Sequence, residues 1–443
     1  MLNRQKYKKD RRAGCLNTFN NRIVGSFTRM CRFTAIITAI LWFIFPLPGN
    51  CFETESGQFK LSGFGTMGVV TSDDDELGFY RDISQNFGVY KGDFSFKTDS
   101  LFGMQLDAEI TSKFDATLQL VLKDRPDDSV DECTEQFFLR YSIKPPVSVR
   151  IGRLPIDVYM LNDYRNVGFA YLWARPPVEL YGRIPFLSFD GVDFMYSARH
   201  GTGTFHAKLF GGTASPRIPL GEVWKFDMKP VGGVSLTYQT NQWNIRGGLA
   251  YTKADTGIPP GEQLRQVLPT IPLAVWPEAE TLTEDLDIKG DSVYYYSLGF
   301  SYDSSHWIFQ SEFAYIESGM KFQPDEFDAY LCMGRRLGDF TPYLMVAMAK
   351  PDDSVNQVSD PLPVDPSLSQ LQDAVYQVLN INRADQKKLS IGTKWDFSAN
   401  ANLKLQWDIT RVKGDGAELW EFNNFDGSDK TINTFSLNLS FIF

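Results

Sequence analysis

Phe435-Ser436-Leu437-Asn438-Leu439-Ser440-Phe441-Ile442-Phe443 closes the chain, with an apolar residue at every second position from Phe435 and with Ser436, Asn438 and Ser440 between them. Successive side chains of a strand point to opposite faces, so this stretch has one continuous apolar face and one polar face. A soluble sandwich could bury such a face as readily as a membrane could cover it. The choice between them rests on what lies upstream.

The same period recurs toward the N-terminus. Phe102, Met104, Leu106, Ala108 and Ile110 alternate with Gly103, Gln105, Asp107 and Glu109, and Phe114, Ala116, Leu118, Leu120 and Leu122 alternate with Asp115, Thr117 and Gln119. Phe137, Leu139, Tyr141 and Ile143 lead into Lys144-Pro145-Pro146, which turns the chain into Val147, Val149 and Ile151. Proline in the turn and not in the strand is the expected placement. Near the end, Leu403, Leu405, Trp407 and Ile409 oppose Lys404, Gln406 and Asp408.

The connections alternate in length. Short turns are expected near 112–113, 144–146, 199–202, 240–242, 303–305, 337–339 and 398–401. Longer loops are expected near 71–98, 125–134, 155–188, 212–229, 253–290, 318–325, 351–385 and 414–430. Seven turns and eight loops join sixteen strands and put both termini on the turn side, the periplasm. Segregation of short turns from long loops belongs to membrane barrels, whose strands are too diluted in hydrophobicity to read as helical spans. Sixteen strands enclose an aqueous lumen, whereas eight are filled by side chains. The predicted fold is all-β: a 16-stranded antiparallel transmembrane barrel with short periplasmic turns, long external loops and, from the composition discussed below, an inward-folded third loop. Helical spacing of Leu368, Leu371, Val375, Val378 and Leu379 predicts a short helix in one long loop, with a weaker pattern over 261–275 that Pro269 and Pro272 interrupt.

The first residues point to export. Phe33 to Pro46 is an apolar run of fourteen, too short for a spanning helix and suited to the hydrophobic core of a signal peptide. A start at Met30 would give a short basic n-region. The expected division is a leader over 1–51 and a barrel over 52–443. Without the leader the chain keeps 35 basic and 53 acidic residues, a net of −18, which argues against a nucleic-acid partner. Cys133 and Cys332 are the two cysteines beyond that region, and no spacing argues that they pair.

In an open barrel the wet face does the work. The basic candidates there are Arg140, Arg150, Lys208, Arg246, Lys388, Lys394 and Lys404, with Asp107, Glu109, Asp115, Asp193, Asp396 and Asp408 as acidic ones. Charges lining a pore set which ions pass. Arg140 and Arg150 fall on the adjacent fourth and fifth strands, and Lys388, Lys394 and Lys404 on the fourteenth and fifteenth. The third loop, Asp157 to Phe189, is rich in Tyr, Trp and Phe, which would be costly to leave in water. Folded inward, it would narrow the pore, with Asp157, Asp163, Arg165, Arg175, Glu179 and Tyr181 as constriction residues.

Three stretches carry a family resemblance. Gly63-Phe64-Gly65-Thr66-Met67-Gly68, Val149-Arg150-Ile151-Gly152-Arg153-Leu154-Pro155 and, most distinctively, the run from Leu161 to Tyr181 (LNDYRNVGFAYLWARPPVELY) resemble the general-porin-like proteins of Gram-negative outer membranes, in a proteobacterial subgroup. The resemblance runs from about Gln58 to Phe443. It implies a homotrimer with the third loop as constriction, and it makes the terminal Phe443 an assembly signal read by the barrel-insertion machinery. Outer-membrane lipid and lipopolysaccharide are the implied surroundings. The usual Pro-Glu-Phe-Gly-Gly loop tip is missing, so the family's constriction residues do not transfer.

The expected function is passive diffusion of small hydrophilic solutes and ions. A substrate-selective channel for sugars or organic anions, and a plugged structural barrel, stay open beside it. No enzyme, cofactor or metal is expected. The only histidines are His200, His206 and His306, and none has a convincing Ser or Asp partner by spacing.

Overall fold

A computed structural model describes residues 52–443, except 55–56, 128, 185, 221 and 362–365. The expected leader lies outside the described residues. Sixteen long strands form the barrel wall in chain order: β1 Phe59–Ser72, β2 Leu101–Thr111, β3 Phe114–Lys123, β4 Thr134–Lys144, β5 Val147–Pro155, β6 Ser188–His200, β7 Gly203–Ala214, β8 Met228–Gln239, β9 Trp243–Ala254, β10 Ser292–Asp303, β11 Trp307–Ser318, β12 Glu326–Arg335, β13 Phe340–Pro351, β14 Ala384–Ser398, β15 Ala401–Ala417 and β16 Lys430–Ile442. Each pairs antiparallel with the next, and β16 pairs with β1 from Phe64↔Ile442 to Ser72↔Thr434, which closes the sheet. Closure leaves no open edge, the condition for crossing lipid with strands.

The two faces of the wall are inverted relative to a soluble protein. On β16, Phe435 and Leu437 point outward and are 45% and 42% exposed, while Ser436, Asn438 and Ser440 are buried inside. Leu405 on β15, Leu331 on β12, Leu298 on β10 and Leu209 on β7 are likewise exposed on the outside. An apolar exterior around a polar interior suits lipid outside and water or protein inside. Stacked rings mark the rim of this belt, among them Phe340 with Trp395 and Trp407 with Phe435.

Short turns fill one end and long loops the other, as the sequence spacing predicts. Gly201 and Gly338 sit in two of the short turns at φ of 59° and 65°, a region a side chain rarely adopts. The long loops are folded. The fifth holds helices Pro259–Val267 and Ala279–Asp285, and the seventh holds Pro366–Leu379. Trp276, Leu282 and Leu286 of the fifth loop and Val375, Val378 and Leu379 of the seventh are buried in the main apolar core. Helix Ala279–Asp285 had no counterpart in the periodicity. Cys133 and Cys332 are both free thiols.

Candidate functional site: the third loop and the wall it leaves bare

The connection from β5 to β6, residues 156–187, runs inside the barrel. Its local shape follows from its sequence. Pro177, with φ of −53°, opens the helical turn Val178–Tyr181, and Gly182 ends it where a Cβ would lie 2.6 Å from the Val178 carbonyl oxygen. Gly168 allows a close approach to the wall, since a Cβ there would stand 2.4 Å from Thr66 Oγ1 and 2.7 Å from Ser440 Oγ.

Four charged loop residues meet opposite charges from the wall and from neighbouring loops. Asp157 lies 3.3 Å from both Lys208 Nζ on β7 and Arg246 Nη2 on β9, and it accepts from Ser235 on β8. Arg175 forms a bidentate pair with Asp99 of the first loop and reaches Asp408 on β15 at 3.3 Å. Glu179 pairs with Lys388 on β14 at 2.6 Å. Arg183 meets Glu326 and Asp328 on β12, the latter at 3.5 Å, and Glu418 of the eighth loop at 2.6 Å. The signs alternate along the loop, so a shifted loop would oppose like charges. Breaking one such buried pair strands a charge in a dry site, which costs about 3–5 kcal/mol.

Further hydrogen bonds to the wall complete the docking. Glu312 on β11 accepts from Met160 N at 2.8 Å, from Tyr330 Oη at 2.7 Å and from Tyr181 Oη. Gln406 Oε1 accepts from Ala174 N, and Asn438 Nδ2 donates to the Ala174 carbonyl at 2.7 Å. Lys404 is fully buried; its ammonium donates to the carbonyls of Gly168 and Trp173, and sits 4.3 Å from the centre of the Tyr171 ring. Trp173 Nε1 donates to Cys332 Sγ at 3.2 Å.

Of the basic wall residues expected to line a pore, Lys208, Arg246, Lys388 and Lys404 are engaged in holding the loop. Arg150 is buried against Asp193 at 2.5 Å. Lys394 pairs with Asp396 at 3.0 Å and lies 5.2 Å from the Phe169 ring centre. Arg140 remains half-exposed, 2.8 Å from Asp115. Among the third-loop candidates, Asp157, Arg175, Glu179 and Tyr181 are buried anchors, whereas Asp163 is exposed and Arg165 half-exposed. Phe443 follows β16 and is half-buried. The structure also brings in Asp99, Arg183, Glu312, Gln406 and Asn438. Inward parity on the strands marked Gln406 and Asn438 as polar wall residues, but nothing local revealed their partners.

The loop leaves one arc of the inner wall, over β2 to β4, partly exposed at Gln105, Asp107, Asp115 and Arg140. Asp115, Arg140, Arg150 and Asp193 stand in one register row across β3 to β6. Next to that row on the inner wall, Asp107 accepts from Thr117 and Gln105, and Gln119 donates to Gln105 at 2.9 Å. A slot of about 20 Å³ lies between Gln119, Glu135 and Gln136 on the wall and Asp163, Tyr164 and Arg165 on the loop. Glu135, Arg165 and Leu187 also border a chamber of about 270 Å³ beneath the first, second and fourth loops.

A closed sixteen-stranded wall with a loop docked inside is the deciding geometry. The barrel has the porin fold. Structures of similar architecture include the anion-selective porin of Comamonas acidovorans (12% identity, 87% of this chain and 99% of that one, TM-score 0.50) and Salmonella typhi OmpF in complex with daunomycin (11%, 88% and 99%, 0.51). The outer-membrane channel DcaP of Acinetobacter baumannii is a third (11%, 89% and 99%, 0.50). At these identities the likeness of the porins extends to the fold alone. No protein-family model matches the chain, and no curated protein matches it in sequence.

Proposed function

We propose that this chain is an outer-membrane channel of the general-porin-like group, through which small hydrophilic solutes and ions diffuse passively. The carrying observation is the bare arc: Gln105, Asp107, Asp115 and Arg140 keep solvent-facing polar surface inside the barrel and lead toward the slot beside Arg165. Long loops would face outward from the cell and short turns the periplasm, after export by a leader over 1–51 and insertion guided by Phe443. A homotrimer in lipopolysaccharide-containing membrane is the proposed assembly. The channel needs no catalytic group. His206 lies on the inner wall, and His306 meets Ser305 Oγ at 2.8 Å in an exposed turn, with no carboxylate on its ring among the described residues.

The third loop, docked across the inner wall by Asp157, Arg175, Glu179 and Arg183, favours a selective channel within the same class. Swelling of proteoliposomes in sugars of graded size tests both readings. Uptake falling smoothly with size supports diffusion, uptake of one chemical class supports selectivity, and no uptake by folded protein favours a plugged structural barrel.

A further inference from the structure

Arg165 is the third-loop guanidinium that has no carboxylate. Arg175 and Arg183 each meet two or more, whereas among the described residues none lies within 4.0 Å of Arg165. Arg165 lies against the paired rings of Tyr159 and Tyr181, 5.6 and 5.5 Å from their centres, and donates through Nη2 to the Tyr181 carbonyl. Its Nη1 is buried without a hydrogen-bond partner. The side chain borders both the chamber and the slot.

Lys123 and Arg125 border the same chamber. Both rest on one oxygen of Glu135, at 3.3 and 2.5 Å, and Arg125 Nε is a second buried N–H without an acceptor. Buried donors left unmade are costly, and a water would satisfy the N–H groups without balancing the charge of Arg165. A carboxylate does both, since guanidinium and carboxylate match as charge and as a planar fork. The carboxylates lining the chamber are already paired: Glu135 with Lys123 and Arg125, Asp82 with Arg81 at 2.8 Å, Glu132 with Arg217 at 3.0 Å and more loosely with Arg125 at 4.0 Å, and Asp131 and Asp190 with Arg153 at 2.9 and 3.0 Å. Asp163 borders the slot and not the chamber, which keeps an anion on the chamber side of Arg165.

We propose that the junction of chamber and slot is a binding subsite for small organic anions carrying a carboxylate, with Arg165 as the primary contact and Lys123 and Arg125 as flanking cations. The proposal rests on the channel reading and assigns it a solute class.

Succinate is the probe. Titrated calorimetrically into the refolded protein it should bind saturably, and in planar bilayers it should block the wild-type current where glucose does not. Arg165→Gln should need at least about tenfold more succinate for the same block, with Arg165→Lys in between. Equal block of wild type and Arg165→Gln, block by glucose as strong as by succinate, or no calorimetric binding to the wild type would each overturn the subsite. The calorimetry decides even if Arg165→Gln does not fold. Folded wild type that binds succinate but passes no current would support the subsite and contradict the channel reading instead.

Discussion

Arg175 and Asp99 face each other through two parallel hydrogen bonds, Nε to Oδ1 and Nη2 to Oδ2, each 2.8 Å long, and both side chains are almost wholly buried. The pair ties the middle of the third loop to the end of the first, just before β2. Asn438 Nδ2 also donates to Asp99 at 3.1 Å, so loop, loop and wall share one carboxylate.

Arg175→Ala should therefore loosen the third loop more than it harms the barrel. Two buried carboxylates, Asp99 and Asp408, lose their partner, at a cost of about 3–5 kcal/mol. The expected readout is a lower midpoint of heat-induced unfolding on gels together with larger single-channel conductance. An unchanged conductance in a folded variant would mean that the loop does not limit the passage.

Asp163 and Glu179 should behave differently although both are acidic residues of the same loop. Asp163 is exposed beside the slot, and Glu179 is fully buried 2.6 Å from Lys388. Asp163→Asn should move the reversal potential under a salt gradient toward anions. Glu179→Gln should lower the unfolding midpoint and move the potential much less, because Lys388 rather than a passing ion loses its partner. Equal shifts in potential would contradict this division.

The two thiols report on the loop. Cys332 lies behind Trp173, 1% exposed, and Cys133 is half-buried in the second loop. A maleimide should label Cys133 in the folded wild type and leave Cys332 intact, as mass spectrometry of the digested protein would show. In Arg175→Ala, Cys332 should become reactive without loss of the barrel. Rapid labelling of Cys332 in the wild type would show that the third loop does not cover it.

The first loop supplies a pH signature. Burial opposes ionisation of Asp82, but Arg81 and Lys123 outweigh it and hold the carboxyl well below the usual carboxylate range. A depressed folded-state value adds stability that is fully present above the unfolded value, about pH 4, and is lost as pH falls toward the folded one. Asp82→Asn should thus be less stable than wild type at neutral pH, with the gap in unfolding midpoint closing below about pH 4. A gap that is constant with pH would contradict an ionised Asp82.

The strands were legible because their determinants are local. Period-two alternation, Pro145-Pro146 and Gly201 each act within a few residues, and the turns between the strands fall within a residue or two of the expected positions. The adjacency of Arg140 and Arg150 followed from strand order and is a direct register pair. The helix Pro366–Leu379 was legible for the same reason, through Val375, Val378 and Leu379. Ala279–Asp285 is seven residues with two buried positions, too short to show a period.

The docking of the third loop was legible only as composition. Aromatic content said that the loop would leave water, and its charges said that it would meet others. Which charges meet is a matter of pairs such as Arg183 with Glu326 and Arg175 with Asp408, separated by more than a hundred residues and brought together by closure of the barrel. No spacing rule reaches across that distance. The same closure turns the wall lysines from candidate pore charges into loop anchors, as Lys388 and Lys404 show.

Single-channel recording of the refolded protein in planar bilayers decides whether a passage persists along the bare arc from β2 to β4 despite the docked third loop. Discrete, ohmic steps in potassium chloride that grow in Arg175→Ala are the expected result. Folded, heat-modifiable protein with no steps in either form would contradict it and leave a barrel closed by its own third loop.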